Sequence, residues 1–195
     1  MRYPSGFRRT NQSKATTKNN NLYRHRGMNL EKDIDVTNKF YLETNKAVIH
    51  KKPTPIQIVN VHYPKRSAAV ITEGYFQKSS TTDYNGIYRG KYIDFEVKET
   101  KNKTLFPLAN IHDHQIEHLQ AVSNHGAISF LIIRFSVYNE TYLIDLKHVL
   151  QLWQQKLSNQ KMSIPYITLK EKGFLIPFHY QARVDYLPIV DKVYF

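Results

Sequence analysis

The chain has no cysteine among its 195 residues. This absence excludes disulfide bonds, zinc sites built on thiolates and cysteine nucleophiles. It is typical of a reducing compartment, and we expect a cytoplasmic location. The longest apolar run, 128–133, has the length of a strand, well short of the roughly 18 residues that a membrane-spanning helix needs. The N-terminus also lacks the hydrophobic segment of a secretory signal, so no segment that crosses or enters a membrane is predicted.

Acidic residues and glycine-rich loops are also scarce. The seven glycines are scattered, which leaves no phosphate-binding loop and no support for nucleoside-triphosphate chemistry. Asp and Glu number 16 against 28 Lys and Arg, which gives a net charge of +12. This excess favours a polyanionic partner, with nucleic acid first and an anionic membrane second. A well-solvated basic surface without a partner is the third interpretation.

Residues 1–27 contain no Asp or Glu but seven Lys and Arg. Such a segment cannot bury enough apolar surface to order itself. We interpret it as a flexible basic arm that tracks phosphates, or as a terminus without a role. Residues 28–195 are then predicted to form the folded domain.

Hydrophobic periodicity in that domain predicts helices and strands in mixed order. Asn29 is a suitable N-cap for a helix that ends at about residue 41 or 42. The Asn85 and Gly86 pair predicts a hairpin turn before the best strand of the chain, 91–100. The strongly apolar segment 127–135, which includes the run 128–133, predicts a central strand. Further strands are predicted at 47–51, 56–61, 69–72, 141–145 and 174–177, and further helices at 110–122, 146–153 and 166–172. This order indicates an α/β (α+β) fold with a mixed sheet flanked by helices.

Strand 91–100 carries the residues that point to chemistry. Side chains alternate between the faces of a strand, so apolar positions 93, 95 and 97 face the core and Asp94, Glu96 and Lys98 face the other way. Asp83 lies 13 residues before Glu96, and the predicted turn brings the two together. Glu96 and Lys98 are placed side by side at one edge of the sheet.

Two converging carboxylates repel each other unless a cation lies between them, and oxygen ligands suit Mg²⁺, with Mn²⁺ as its substitute. A metal ion there would activate water for phosphodiester hydrolysis. Lys98 would stabilise the negative charge that grows on the phosphoryl oxygens. This pattern is typical of restriction-type nucleases. The alternative is a solvated strand face whose alternating charges form surface pairs.

Two other segments suggest contacts with DNA. The turn at 62–67 is basic and carries an aromatic residue, which suits phosphate contact and stacking, although a plain hairpin tip fits as well. The predicted helix 110–122 carries His112, His114 and His118. A zinc site there would need a third ligand and a carboxylate base, so exposed or DNA-facing histidines are favoured.

Several longer segments carry a family pattern. They read KKPTPIQ at 51–57, VNVHYP at 59–64, STTDYNG at 80–86, YIDFEVKETKNKT at 92–104 and VYF at 193–195. Over about residues 26–195 the chain therefore resembles the RecU family of Holliday junction resolvases. The resemblance implies a restriction-endonuclease-like fold, a homodimer, and cleavage of four-way junctions in recombination and repair.

The resemblance also implies roles for individual residues. Magnesium would be bound by Thr81, Asp83, Glu96 and Gln115, and Lys98 would stabilise the transition state. Val97 stands where the family more often has Ala, and because it faces the core this departure bears on packing.

The family's stalk, which projects from the dimer, corresponds here to 53–75. Lys65 and Arg66 are expected to contact DNA there. Two other functions remain open. One is a non-catalytic protein that binds junctions or partners a recombinase, and the other is a nuclease that acts on duplex ends or single strands.

Overall fold

A computed structural model describes residues 29–77, 81–158 and 163–195. The predicted basic arm, 1–27, lies outside the described residues. Among the helices that are described, none has the length and apolar character needed to cross a membrane.

The described residues form five α-helices and ten strands in mixed order. The helices are α1 (Leu30–Glu43), α2 (Asp113–Asn124), α3 (Leu146–Leu157), α4 (Tyr166–Lys172) and α5 (Leu187–Tyr194). The strands are β1 (Val48–Lys51), β2 (Ile56–His62), β3 (Val70–Phe76), β4 (Tyr84–Tyr88), β5 (Lys91–Thr100), β6 (Leu105–Pro107), β7 (Ile128–Phe135), β8 (Glu140–Asp145), β9 (Ser163–Pro165) and β10 (Phe174–Ile176). Short 3-10 turns lie at Arg66–Ala68 and Leu108–Asn110.

A six-stranded mixed sheet is the centre of the fold. Its strand order is β1-β4-β5-β7-β8-β10, with β5 and β7 parallel and the other pairs antiparallel. One face packs against α1 and α5, and the other packs against α2, α3 and α4. The predicted mixed sheet flanked by helices is therefore confirmed. All residues of β7 are buried, as expected of a central strand.

Strands β2 and β3 form a separate hairpin that pairs with no other described strand. Every residue of both strands is exposed. Pro53 and Pro55 precede β2, where their missing N–H groups end the pairing of β1. The stalk expected at 53–75 falls on this hairpin.

The predicted turn at Asn85 and Gly86 is wrong. Both residues lie inside β4, and the chain reverses at Arg89 and Gly90, whose φ angles are 48° and 75°. A Cβ on Gly86 would lie 2.1 Å from the Val48 carbonyl oxygen and 2.6 Å from the Ile49 Cα. Gly86 is therefore explained by the close approach of β1 and not by a turn.

Candidate active site

Asp83 and Glu96 lie side by side on neighbouring strands. In the β4–β5 ladder Tyr84 pairs with Phe95, so Asp83 faces Glu96 at the next position. The backbone N–H of Asp83 donates to Glu96 Oε2 at 3.1 Å, and the N–H of Val97 donates to Asp83 Oδ2 at 3.3 Å. The predicted juxtaposition is present, although a different turn produces it.

Two side chains contact the other oxygen of Glu96, Oε1. Lys98 Nζ lies 2.7 Å from Glu96 Oε1, and the Gln115 amide nitrogen donates to the same oxygen at 2.6 Å. Glu96 has an exposed fraction of 0% and the Lys98 side chain 18%. The interpretation as a solvated strand face is therefore wrong. The placement of Glu96 and Lys98 at a sheet edge is also wrong, because β5 lies between β4 and β7.

The electrostatics of Glu96 follow from this burial. Its pKa is raised from the usual 4.5 to about 8, first by desolvation and then by the charge of Asp83. Lys98 acts in the opposite direction and lowers the pKa. A buried carboxylate whose pKa is raised by desolvation and by a neighbouring carboxylate marks a candidate functional site.

Gln115 lies in the first turn of α2. Its carbonyl oxygen accepts a hydrogen bond from the backbone N–H of His112 at 3.0 Å, so the amide nitrogen is the atom that reaches Glu96. An amide carbonyl has two acceptor positions, which leaves one available for a metal ion. The helix starts at Asp113, later than predicted, because residues 108–110 form a 3-10 turn and His112 is the N-cap.

The remaining predicted residues lie in two places. Thr81 is partly buried and stands two residues before Asp83. Lys65 is exposed in the loop of the hairpin. Arg66 begins the 3-10 turn there, and its side chain lies outside what the structure describes.

A second polar cluster lies beside the first and was not predicted. It centres on Asp94, which has an exposed fraction of 0%. Lys52 Nζ donates to Asp94 Oδ2 at 2.9 Å, the Tyr92 hydroxyl donates to it at 3.0 Å, and His118 Nε2 lies 3.0 Å from it. The Thr82 hydroxyl donates to the other oxygen of Asp94. The available signal was the alternation of β5, which places Asp94 on the same face as Glu96.

The first cluster has donors that suit a hard divalent cation. The charge of Asp83 raises the pKa of Glu96, and a cation between the two carboxylates would relieve that repulsion. Among the described residues no three His, Cys, Asp or Glu side chains are grouped for a metal. Mg²⁺ is commonly bound through one or two carboxylates while it keeps several waters, so Asp83 and Glu96 fit this ion.

The chain is similar to known proteins over its whole length. The model of the family described as Recombination protein U matches residues 25–192. A protein of Oceanobacillus iheyensis named Holliday junction resolvase RecU is 62% identical over 196 residues, covering 100% of both chains. The protein of that name from Geobacillus kaustophilus is 56% identical and covers 100% of this chain and 98% of its own. Among solved structures, the Holliday junction resolvase Hjc of Archaeoglobus fulgidus aligns with 56% of this chain and 73% of its own, at 11% identity and a TM-score of 0.34.

Proposed function

The chain belongs to the RecU family, and from that membership we propose that it is a structure-selective endonuclease that resolves four-way DNA junctions in recombination and repair. One observation in the fold supports this most directly. Asp83 and Glu96 converge on neighbouring strands, and Lys98 lies 2.7 Å from Glu96. Carboxylates and an ammonium in contact are suited to cleavage of a phosphodiester.

Magnesium is the proposed cofactor, with Mn²⁺ as a substitute. Asp83 and Glu96 would hold it, with the Thr81 hydroxyl and the Gln115 carbonyl as further ligands. When bound, the ion supplies a Lewis acid for the phosphate and an activated water. Lys98 stabilises the negative charge that develops on the phosphoryl oxygens. Gln115 and the Asp83 N–H orient the Glu96 carboxylate through their hydrogen bonds.

A homodimer is the proposed assembly. A four-way junction has approximate two-fold symmetry, and its resolution needs two symmetric cuts, which a C2 dimer would make with its two sites. Lys65 and Arg66, in the loop of the exposed hairpin, would contact the phosphates of the junction. A recombinase is a further candidate partner, and the cytoplasm is the proposed location.

Substitutions in the site test the proposal. Asp83→Asn and Glu96→Gln should abolish cleavage of a labelled four-way junction in Mg²⁺, because a neutral amide holds the ion poorly. Lys98→Met should slow single-turnover cleavage by about 10²–10³-fold, the usual loss when one donor to a developing oxyanion is removed. Junction affinity in EDTA should stay close to that of the wild type.

A matched control is Glu43→Gln, which removes an exposed carboxylate on α1. It should cleave at the wild-type rate. Cleavage by Asp83→Asn and Glu96→Gln at the wild-type rate would instead favour a site elsewhere in the chain.

A further inference from the structure

We propose that Lys52, Thr82 and Asp94 form a positioning cluster that ties the base of the exposed hairpin to the segment that carries Asp83. The inference rests on the proposed function and assigns these residues a part in it. None of the three is proposed to touch the metal or the scissile phosphate. Their effect on cleavage would come through the placement of Asp83.

Asp94 is the buried centre of the cluster. Its side chain has no solvent exposure, and its two oxygens receive hydrogen bonds from different parts of the chain. Lys52 comes from the end of β1, Thr82 precedes β4, and Tyr92 lies on β5 itself. A buried carboxylate needs such donors, so Asp94 fixes each of these side chains in place.

Lys52 joins the two sides of the hairpin base. Its ammonium donates to Thr82 Oγ1 and to Asp94 Oδ2, both at 2.9 Å. Its backbone N–H donates to the Asp83 carbonyl oxygen at 2.7 Å. Lys52 therefore donates hydrogen bonds both to the side chain of Thr82 and to the backbone of Asp83.

The positions of Lys52 and Thr82 along the chain place the cluster at the base of the hairpin. Lys52 is four residues before β2, where the hairpin starts, and Thr82 is six residues after β3, where it ends. Among the described strands, the hairpin strands pair only with each other. The base of the hairpin therefore determines how the hairpin is oriented relative to the main sheet. A junction held by the hairpin would then be aligned with Asp83 and Glu96 through the Asp94 cluster.

Thr82→Val is the most selective test. Valine keeps the buried shape and removes the hydroxyl, while Asp94 retains its bonds to Lys52 and Tyr92. Single-turnover cleavage at saturating junction should fall by about 10–100-fold, the usual effect of losing a partner that orients a metal ligand. The Mg²⁺ concentration for half-maximal cleavage should rise, while junction affinity in EDTA stays unchanged. Thr82→Ser, which restores a hydroxyl, should recover most of the rate.

A second variant and a stability control complete the experiment. Lys52→Met should lower the rate in the same way, because it removes the ammonium and keeps most of the aliphatic stem. Arg134→Met breaks the buried pair between Arg134 and Asp33, which lie 2.6 Å apart away from the site. It should lose thermal stability but cleave at the wild-type rate.

Three results would overturn the inference. One is wild-type cleavage and wild-type Mg²⁺ dependence in Thr82→Val. Another is a loss of rate in Thr82→Val that Thr82→Ser does not repair and that Arg134→Met reproduces, since this would show a general effect of stability. If the wild-type chain does not cut junctions in Mg²⁺ or Mn²⁺, the proposed function fails, and this inference fails with it.

Discussion

Glu96 combines full burial with two neighbours of opposite effect on its charge. Asp83 raises its pKa and Lys98 lowers it, while desolvation is the largest influence and raises the pKa to about 8. When no metal ion is bound, this shift favours a proton on Glu96 at neutral pH. The cation expected there would replace that proton, because a metal ligand must be deprotonated.

The pH dependence of stability tests this description of Glu96. Below pH 4.5 both folded and unfolded chains carry neutral Glu96, so its contribution is fully present. As pH rises toward about 8, the unfolded chain ionises while the folded chain keeps its proton, so this contribution is lost. In EDTA, Glu96→Gln should therefore gain in melting temperature relative to the wild type from pH 5 to pH 8, and level off above that. A difference that stays constant across this range would show that the Glu96 pKa is not raised.

The sequence allowed part of this arrangement to be predicted. Alternation along β5 predicted the face of Glu96 correctly, but Asp83 was paired with Glu96 through a turn at Asn85 and Gly86, whereas the chain reverses at Arg89 and Gly90. These local signals could not reveal the burial of Glu96, because that depends on α2 and the Gln115 amide, 19 residues further along the chain. The Asp94 cluster was beyond prediction for the same reason, since Lys52 is 42 residues away from Asp94 and meets it only in the folded sheet.

Strand β4 shows why a local signal can mislead. Asparagine followed by glycine favours a two-residue turn, yet here the pair lies in a strand between β1 and β5. Packing against β1 outweighs the local preference, because only glycine admits the Val48 carbonyl at 2.1 Å from where a Cβ would lie. The turn instead uses Gly90, two residues beyond the end of β4.

Gly86→Ala should therefore destabilise the protein. The added methyl group meets backbone atoms of β1 that cannot rotate away, so we expect a loss of about 1–3 kcal/mol or more in the free energy of unfolding. Urea denaturation measures it. Gly74→Ala in the hairpin is the control, because its added Cβ first meets the movable Ile56 Cγ2 at 3.1 Å. Equal losses in the two variants would contradict the close-approach explanation.

The other helices and strands differ in how well the local sequence pattern predicts them. The predicted bounds of β5 and α4 match the structure, since β5 alternates clearly and α4 ends at Gly173. Helix α5 was missed, since no helix was predicted after residue 172. Strands β6 and β9 were missed as well, since each has three residues and gains its stability from pairing with the other.

The hairpin formed by β2 and β3 is the element expected to hold DNA. Replacing both Lys65 and Arg66 by Ala should weaken junction binding and reduce the slope of log affinity against log salt by about two, one for each lost phosphate contact. Replacing both Lys170 and Lys172 by Ala is the control with the same charge change, on α4 beside β8. Titrations by fluorescence anisotropy at several salt concentrations measure the slopes. Equal slopes for the two double variants would show that only the total charge matters.

At the scale of the whole molecule, the net charge and the proposed two-fold symmetry have different parts in DNA recognition. A net charge of +12 draws the chain to any nucleic acid and carries no preference for structure. Selection of a four-way junction must come from geometry, and the exposed hairpin and the two-fold symmetry of the proposed dimer would supply it. The proposed dimer thus has a functional reason, because a single site makes only one of the two cuts that resolution needs.

Cleavage by the wild-type chain tests the central claim most directly. A labelled four-way junction and a linear duplex of the same sequence are incubated with the protein at fixed salt, in Mg²⁺ and in EDTA. We predict paired, symmetric nicks in the junction, in Mg²⁺ alone, with the duplex left intact. Tight binding of the junction without any cut in Mg²⁺ or Mn²⁺ would contradict the account and identify a junction-binding protein, and equal cutting of the duplex would identify a nuclease without selectivity for junctions.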